Sequence, residues 1–445
     1  MYKFIENHWL KVCYLFAICL WIFLAGLCFY IDTRRPDLLD DYDYGNIFNF
    51  SGKLASMNLY NDLYPKLSQK SFLDGNTYNK LAHQYLPHLS KSHLIIFNSN
   101  PLVATFFIPF SKLTVGQSYC LWQIIQISGF WLITVLLTGF AKNKMLKYFI
   151  LLSLFLPIQH YLIIGQVTLI LTLLPVCIGY WMISKNKFFI AGICFAFIFF
   201  KIQLLPIVLL PVTCLFLLGK RKCLYGWLLG CGLIFSTIVL LYGVDLLKLW
   251  VHDLYLTDKV YTTSTYIIEP YIIANVPLII SQYIPILYRD VVKYIIYLFA
   301  LVLSVHCLYI SVLVLKKNRG NWQEFMPLIY VTAISITPLV SPHIMVYDLI
   351  IFIIAGIIVF DNSSNDMVSH KLKVLSLTTW FSINVYYFFI FYFTGKSTQP
   401  MFWGIIIFFA YGQLISLICQ YYLNLPLTNL TKLLNYKEIL DAENS

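Results

Sequence analysis

"LKVCYLFAICLWIFLAGLCFYI" (residues 10–31) decides the fold class. Coiled as an α-helix, a run this long and apolar crosses the roughly 30 Å hydrocarbon core of a bilayer. It is too long for the apolar segment of a signal peptide, and no small-residue cleavage site follows it. The run therefore reads as a retained first helix. Comparable runs recur along nearly the whole chain. Of 445 residues, 60% are hydrophobic and only 11% charged, with a mean hydropathy of +0.75, which separates the chain from water-soluble domains. Barrel strands alternate and would not give unbroken runs, so the expected class is an all-α polytopic membrane protein.

The net charge of +11 does not indicate a nucleic-acid partner, because Lys and Arg lie in short tracts between apolar runs instead of forming a basic domain. Such tracts mark cytoplasmic connections. Lys3 and Lys11, Lys142/Lys144/Lys147, Lys185/Lys187, Lys220/Arg221/Lys222, Lys316/Lys317/Arg319 and Lys371/Lys373 are accordingly assigned to the inside. Threading these constraints predicts twelve spans near 10–31, 118–141, 146–161, 166–184, 187–200, 202–219, 222–243, 291–315, 323–340, 344–360, 372–394 and 401–423, within one domain covering 1–445. Two outer connections are long, 32–117 and 244–290, and a short cytoplasmic tail occupies 424–445. The first carries many Tyr and Phe and an amphipathic stretch, "YNKLAHQYLPHL"; "NPLVATFFIPFSKL" (100–113) is too short to cross and reads as an interfacial helix. No internal repeat is visible, and the eleven cysteines form no CxxC or Cys/His cluster, so neither a zinc site nor a disulfide framework is expected.

Ionisable groups at the ends of membrane helices are costly and are functional candidates by default. Four clusters map to the outer side. Asp40, Asp41 and Asp43 follow the first span; a carboxylate there can act as a general base toward a hydroxyl, although solvated loop carboxylates are common. Gln159/His160 and Gly165/Gln166 flank an outer turn, where Gln can hydrogen-bond sugar hydroxyls or simply cap a helix. Lys201 is the lone cation of "FIFFKIQLLPIVLLP", with no acid nearby in sequence; it suits a phosphate, or else snorkels to lipid headgroups. "TPLVSPHIMVYD" brings His343, Tyr347 and Asp348 behind Pro338 and Pro342. His343 and Tyr347, spaced i,i+4, share a face if helical. There His343 can donate to a phosphate, and Asp348 can orient it or pair with Lys201. No P-loop, G-x-S-x-G or HExxH motif occurs.

The order of these motifs resembles glycosyltransferase family 87, an integral membrane family of GT-C type that includes polyprenol-phosphate-mannose-dependent alpha-mannosyltransferases. The resemblance rests on Asp43-Tyr44 with Ser51-Gly52, "MNLY" ending at Tyr60, "SNPLVATFFIPF", "GQVTLIL" from Gly165, "AGICFAFIFFKIQLLP" and "SPHIMVYD". Met57, Ser99-Asn100-Pro101 and Thr168 depart from the family pattern. The resemblance implies a membrane glycosyltransferase acting on the outer face of a bacterial plasma membrane. It implies a polyprenyl-phosphate-sugar donor, with mannose one candidate sugar, and a glycan or glycolipid acceptor. The base would be Asp43, with Asp41 as the alternative, and Lys201 and His343 would hold the donor phosphate. Tyr44, Asn100, Gln166, Tyr347 and Asp348 would surround the sugar and acceptor. No cofactor or metal is expected. Two other readings compete, a secondary transporter or lipid flippase, which the span count favours, and a membrane scaffold.

Overall fold

A computed structural model describes residues 2–392 apart from 71–76, 92–93, 140–141, 263–273, 283, 318–321, 342 and 363–366. The expected span 401–423 and the tail lie outside the described residues. Among these, every regular element is helical. The α-helices are α1 (Tyr2–Arg34), α2 (Phe50–Ser56), α3 (Thr77–Tyr85), α4 (Pro101–Phe106), α5 (Val115–Leu137), α6 (Lys142–Leu152), α7 (Leu156–Ile164) and α8 (Leu174–Ser184). They continue with α9 (Phe188–Phe195), α10 (Pro206–Leu217), α11 (Lys222–Thr262), α12 (Val276–Gln282), α13 (Ile286–Lys317), α14 (Met326–Val340), α15 (Ile351–Asn362) and α16 (Met367–Tyr392). Short 3₁₀ and π turns join several of them.

Four of the described helices, α1, α5, α11 and α13, contain stretches long and apolar enough to cross a membrane; a fifth span results if α6 and α7 are counted together. Apolar helices of 10–17 residues follow at Leu169–Ser184, Phe188–Phe200, Pro206–Leu217 and Met326–Val340, so the described residues are helical and suited to a membrane but display four or five of the twelve expected spans at full length. The segment expected to cross at 146–161 bends by 72° between α6 and α7. Pro157 begins α7 without an N–H to continue the ladder, and side chains occupy the freed backbone groups. Asn384 accepts from Leu156 N (2.9 Å) and donates to Leu154 O (3.0 Å), while Gln159 donates to Ser153 O (2.8 Å). A break in a membrane helix is tolerated where neighbours satisfy its backbone in this way.

Two large cores, with a small third cluster at Ala196, Ile234 and Ile238, organise the described residues. The larger is aliphatic and joins the helical bundle through residues such as Ile133, Ile158, Ile207, Ile334 and Ile358. On its outside, α1, α11 and α13 present Ile22, Leu240 and Leu298, all well exposed, as lipid-facing surfaces require. The second core belongs to the first long connection. Phe48, Phe50, Leu54, Tyr64, Tyr78, Phe97 and Phe107 bury one another against Trp122 of α5 and Trp250 of α11. The connection is thus a folded cap with its own interior. α3 buries Tyr78 and Ala82, four residues apart on one face, as its amphipathic pattern requires. The stretch expected to lie at the interface instead enters this core: Pro101, Val103, Ala104 and Phe107 are buried.

The second long connection also differs from expectation. α11 does not stop at 243 but resumes after a kink at Gly243 (φ 82°, ψ 165°) and runs to Thr262. Its continuation packs Leu246 and Trp250 into the cap.

Candidate active site

The cavity between cap and bundle has a volume of about 180 Å³. Asp41 and Asp43 of the cap face Gln166, Lys201, His343 and Tyr347 of the bundle across it, and Asn100 closes one side. Residues separated by up to three hundred positions meet because the α7–α8, α9–α10 and α14–α15 connections all lie at one end of the bundle. The Lys-bearing connections lie at the other end: Lys220 stands over the rings of Phe188 (5.6 Å) and Trp322 (5.7 Å), and Gln323 donates to Asn186 (2.9 Å).

The three carboxylates separate cleanly. Asp40 is buried and accepts from His88 N at 3.0 Å; Asp41, half-buried, accepts from Ser90 N at 3.0 Å. Both therefore tie the segment after α3 to the start of the cap. Burial pushes the Asp40 carboxyl above the usual carboxylate range, a rise the His88 N–H partly opposes. Asp43 instead accepts a hydrogen bond from Gln166 Nε2 and lines the cavity.

Gln166 is held by the end of α7. Gly165 caps that helix in the left-handed region (φ 73°, ψ 37°), where a Cβ would be strained and would stand 2.5 Å from Tyr44 Cβ. The last carbonyls of α7 are taken up by α5: Gln123 donates to Leu162 O, Tyr119 to Ile163 O (2.9 Å) and Trp122 to Gly165 O (3.0 Å). Tyr161 OH donates to Gln166 O at 2.8 Å. These orphan carbonyls would otherwise be unsatisfied in a buried place.

Tyr44 does not line the cavity. It lies fully buried beneath it, edge-on to Phe107 and Tyr119, with its hydroxyl paired to Ser118. Burial keeps that phenol protonated, and its contact with Gly165 makes it a brace for the turn that carries Gln166.

Lys201 occupies a helix break between two short 3₁₀ segments, Ala196–Phe200 and Ile202–Leu204, with φ −143° and ψ 76°. Its Nζ lies 3.0 Å from Asp348 Oδ1 and 5.2 Å from the centre of the Tyr347 ring. The lysine thus has a nearby acid in space although none in sequence. Asp348 is fully buried behind it, accepts from Met345 N at 3.2 Å, and does not line the cavity. His343 and Tyr347 do line it, but residues 343–345 are not helical, so the i,i+4 spacing is not what brings them together. Pro338 lies inside α14, which ends two residues later; Pro342 lies outside the described residues. Asn100 caps α4, accepting from Leu102 N at 2.9 Å. Gln159 and His160 stand away from the cavity, with His160 edge-on to Tyr347 and Tyr387.

The sequence reading missed Asn46, Trp250 and Thr257, which also line the cavity. A span ending at 243 leaves Trp250 and Thr257 in a connection, whereas the helix that continues past Gly243 puts them on one face.

The model of glycosyltransferase family 87 matches residues 98–342, more than half of the chain. The chain belongs to glycosyltransferase family 87. Family 87 membership makes it a membrane glycosyltransferase, which implies a sugar donor and an acceptor. The family match spans Asn100, Gln166 and Lys201 and reaches the residue before His343, whereas Asp41 and Asp43 precede it and join the site through the cap. No curated protein and no solved structure matches the sequence.

Proposed function

We propose that the protein transfers a sugar, with mannose one candidate, from a polyprenyl-phosphate-linked donor to a hydroxyl of a glycan or glycolipid, with Asp43 as general base. The observation that carries this reading is the meeting of Asp43 and Lys201, one from the cap and one from the bundle, on a single cavity. In the proposed step the acceptor O–H gives its proton to the Asp43 carboxylate as the oxygen bonds to the anomeric carbon. The bond from that carbon to the phosphate oxygen breaks, and its electron pair leaves with the phosphate.

Each residue then has a physical task. Gln166 holds one Asp43 oxygen and so orients the carboxylate. Lys201 has three N–H donors, of which Asp348 engages one direction; the ammonium and His343 compensate the charge that develops on the leaving phosphate. Asp348 and Tyr347 fix the position of that ammonium. Tyr44 acts at one remove by bracing the Gly165 turn. Asp41, tied to Ser90 N, is the alternative base. Lipid-facing helices beside the cavity suit a prenyl chain. Cationic connections at the opposite end of the bundle would put this cavity on the outer face of a bacterial plasma membrane. No cofactor enters the proposed step.

The test is sugar transfer from a synthetic short-chain prenyl-phosphate sugar by purified protein, with Asp43→Ala and Asp41→Ala in parallel. The reading expects Asp43→Ala to lose about 10³-fold in rate, within the range for loss of a general base, and Asp41→Ala to lose far less. A wild-type protein that neither binds nor turns over such a donor removes the reading.

A further inference from the structure

The continuation of α11 carries buried polar groups without a hydrogen-bond partner among the described residues. Trp250, Asp253 and Thr257 fall within about 60° of one another around the helix at 3.6 residues per turn. Trp250 and Thr257 line the cavity, and Asp253, on the helical turns between them, does not itself line it. Asp253 is fully buried, and neither carboxylate oxygen has a hydrogen-bond partner among the described residues. The same holds for Trp250 Nε1 and Thr257 Oγ1, and for Asn100 Nδ2 and Asn46 Oδ1 on the adjoining cavity wall. Tyr64, whose phenol burial and the nearby Asp253 hold well above its usual value, spends its O–H on Ser99 O at 2.7 Å.

Buried polar atoms left without partners cost free energy unless a ligand or water meets them. Donors and acceptors are both present here: an indole N–H and an amide N–H with a carboxyl, a hydroxyl and an amide oxygen. The hydroxyls of a sugar ring, each both donor and acceptor, can meet both kinds. A phosphate offers acceptors chiefly and is better met by Lys201 and His343, which also line the cavity. We propose that Trp250 and Thr257 of α11, with Asn100 and backed by the buried Asp253 carboxyl, form a subsite for the hydroxyls of a neutral sugar ring. This inference rests on the proposed glycosyl transfer and adds where the sugar is held apart from the phosphate. The ring can belong to the acceptor or to the donor, and kinetics separate the two.

The experiment uses full-length protein in lipid nanodiscs, a short-chain prenyl-phosphate sugar as donor, and octyl glucoside, galactoside and mannoside below their micellar range as acceptor probes. Asp253→Asn and Thr257→Val keep shape; the first removes the acid and the second the hydroxyl. Each is expected to raise one KM by about tenfold or more, the scale of a lost hydrogen bond to a charged or buried group, with a smaller effect on kcat. A rise in the glycoside KM identifies the acceptor's ring; a rise in the donor KM for hydrolysis identifies the donor's ring. Thr257→Ser, which keeps the hydroxyl, is expected to restore binding. Folded variants with both KM values at the wild-type level overturn the subsite, as does an equal fall in kcat with KM constant. Direct binding of the octyl glycosides is measured alongside. Protein that turns over no donor yet binds a glycoside in an Asp253-dependent way would retain the subsite and reject the transfer reading, and protein that does neither would reject both.

Discussion

The cap and the bundle are built by different physics. The bundle interior is aliphatic, and many of its hydroxyls bond back to their own helix: Thr134 to Phe130 O, Thr332 to Leu328 O and Thr337 to Ala333 O. Such bonds satisfy a hydroxyl without specifying a neighbour. In the cap, polar side chains reach across the chain. Tyr78 OH donates to Asn46 O (2.8 Å), Tyr64 OH to Ser99 O (2.7 Å), and Asn79 accepts from Ile95 N (2.8 Å). Stacked and tilted rings fill the space between them. Apolar packing supplies the bundle's mass, and directional contacts give the cap one arrangement. The cavity lies at their seam and takes its candidate base from the directional part and its cation from a broken helix of the aliphatic part.

The largest expected effect tests the bundle side of that contrast. Lys201→Ala leaves the buried Asp348 carboxylate uncompensated, a loss of the order of 3–5 kcal/mol for such pairs, and it should also raise the donor KM. Lys201→Met combined with Asp348→Leu should recover thermal stability without recovering donor use. Recovery of both would make the pair structural only.

Gly165→Ala tests the hinge between the two regions. A left-handed conformation costs a residue with a Cβ about 1–2 kcal/mol, and contact with Tyr44 adds to it, so both the melting temperature and the transfer rate should fall. If the rate is unchanged, Gln166 does not need that turn.

Most of the bundle was legible in sequence because apolar run length and Lys tracts report helices and their ends directly. Asp43, Gln166, Lys201 and His343 could be singled out because polar groups are rare in such a chain. The cap was not legible as a folded unit: its interior joins Phe48 to Phe107 and Tyr64 to Phe97, contacts between residues far apart that no local period encodes. Asp348 could be named as a partner for Lys201 only as one option, since the two stand 147 positions apart in sequence. The helical placement of Asp253 was not legible, because a glycine that commonly ends a helix only kinks this one at Gly243. The α6–α7 bend depends on Asn384, far along the chain.

Smaller effects probe the cap. Tyr64→Phe should cost about 1 kcal/mol, the usual worth of a buried hydrogen bond, read as a lower melting temperature with the donor KM unaltered. Asp40 gives a pH signature. Because burial raises its carboxyl, the folded state holds that proton more tightly than the unfolded chain. Its contribution to stability is therefore full below the ordinary carboxylate range and is lost as pH rises through the raised value. Asp40→Asn should remove that part of the slope while keeping an oxygen for His88 N. A slope identical to wild type would place the titration elsewhere.

The proposed meeting of a base from the cap and a phosphate-binding cation from the bundle in one cavity is probed by Asp43→Asn. The measurement is single-turnover transfer together with binding of the prenyl-phosphate sugar, compared with wild type. The account predicts donor binding close to wild type and transfer reduced by about 10³-fold. Transfer at the wild-type rate by a folded Asp43→Asn protein would contradict it.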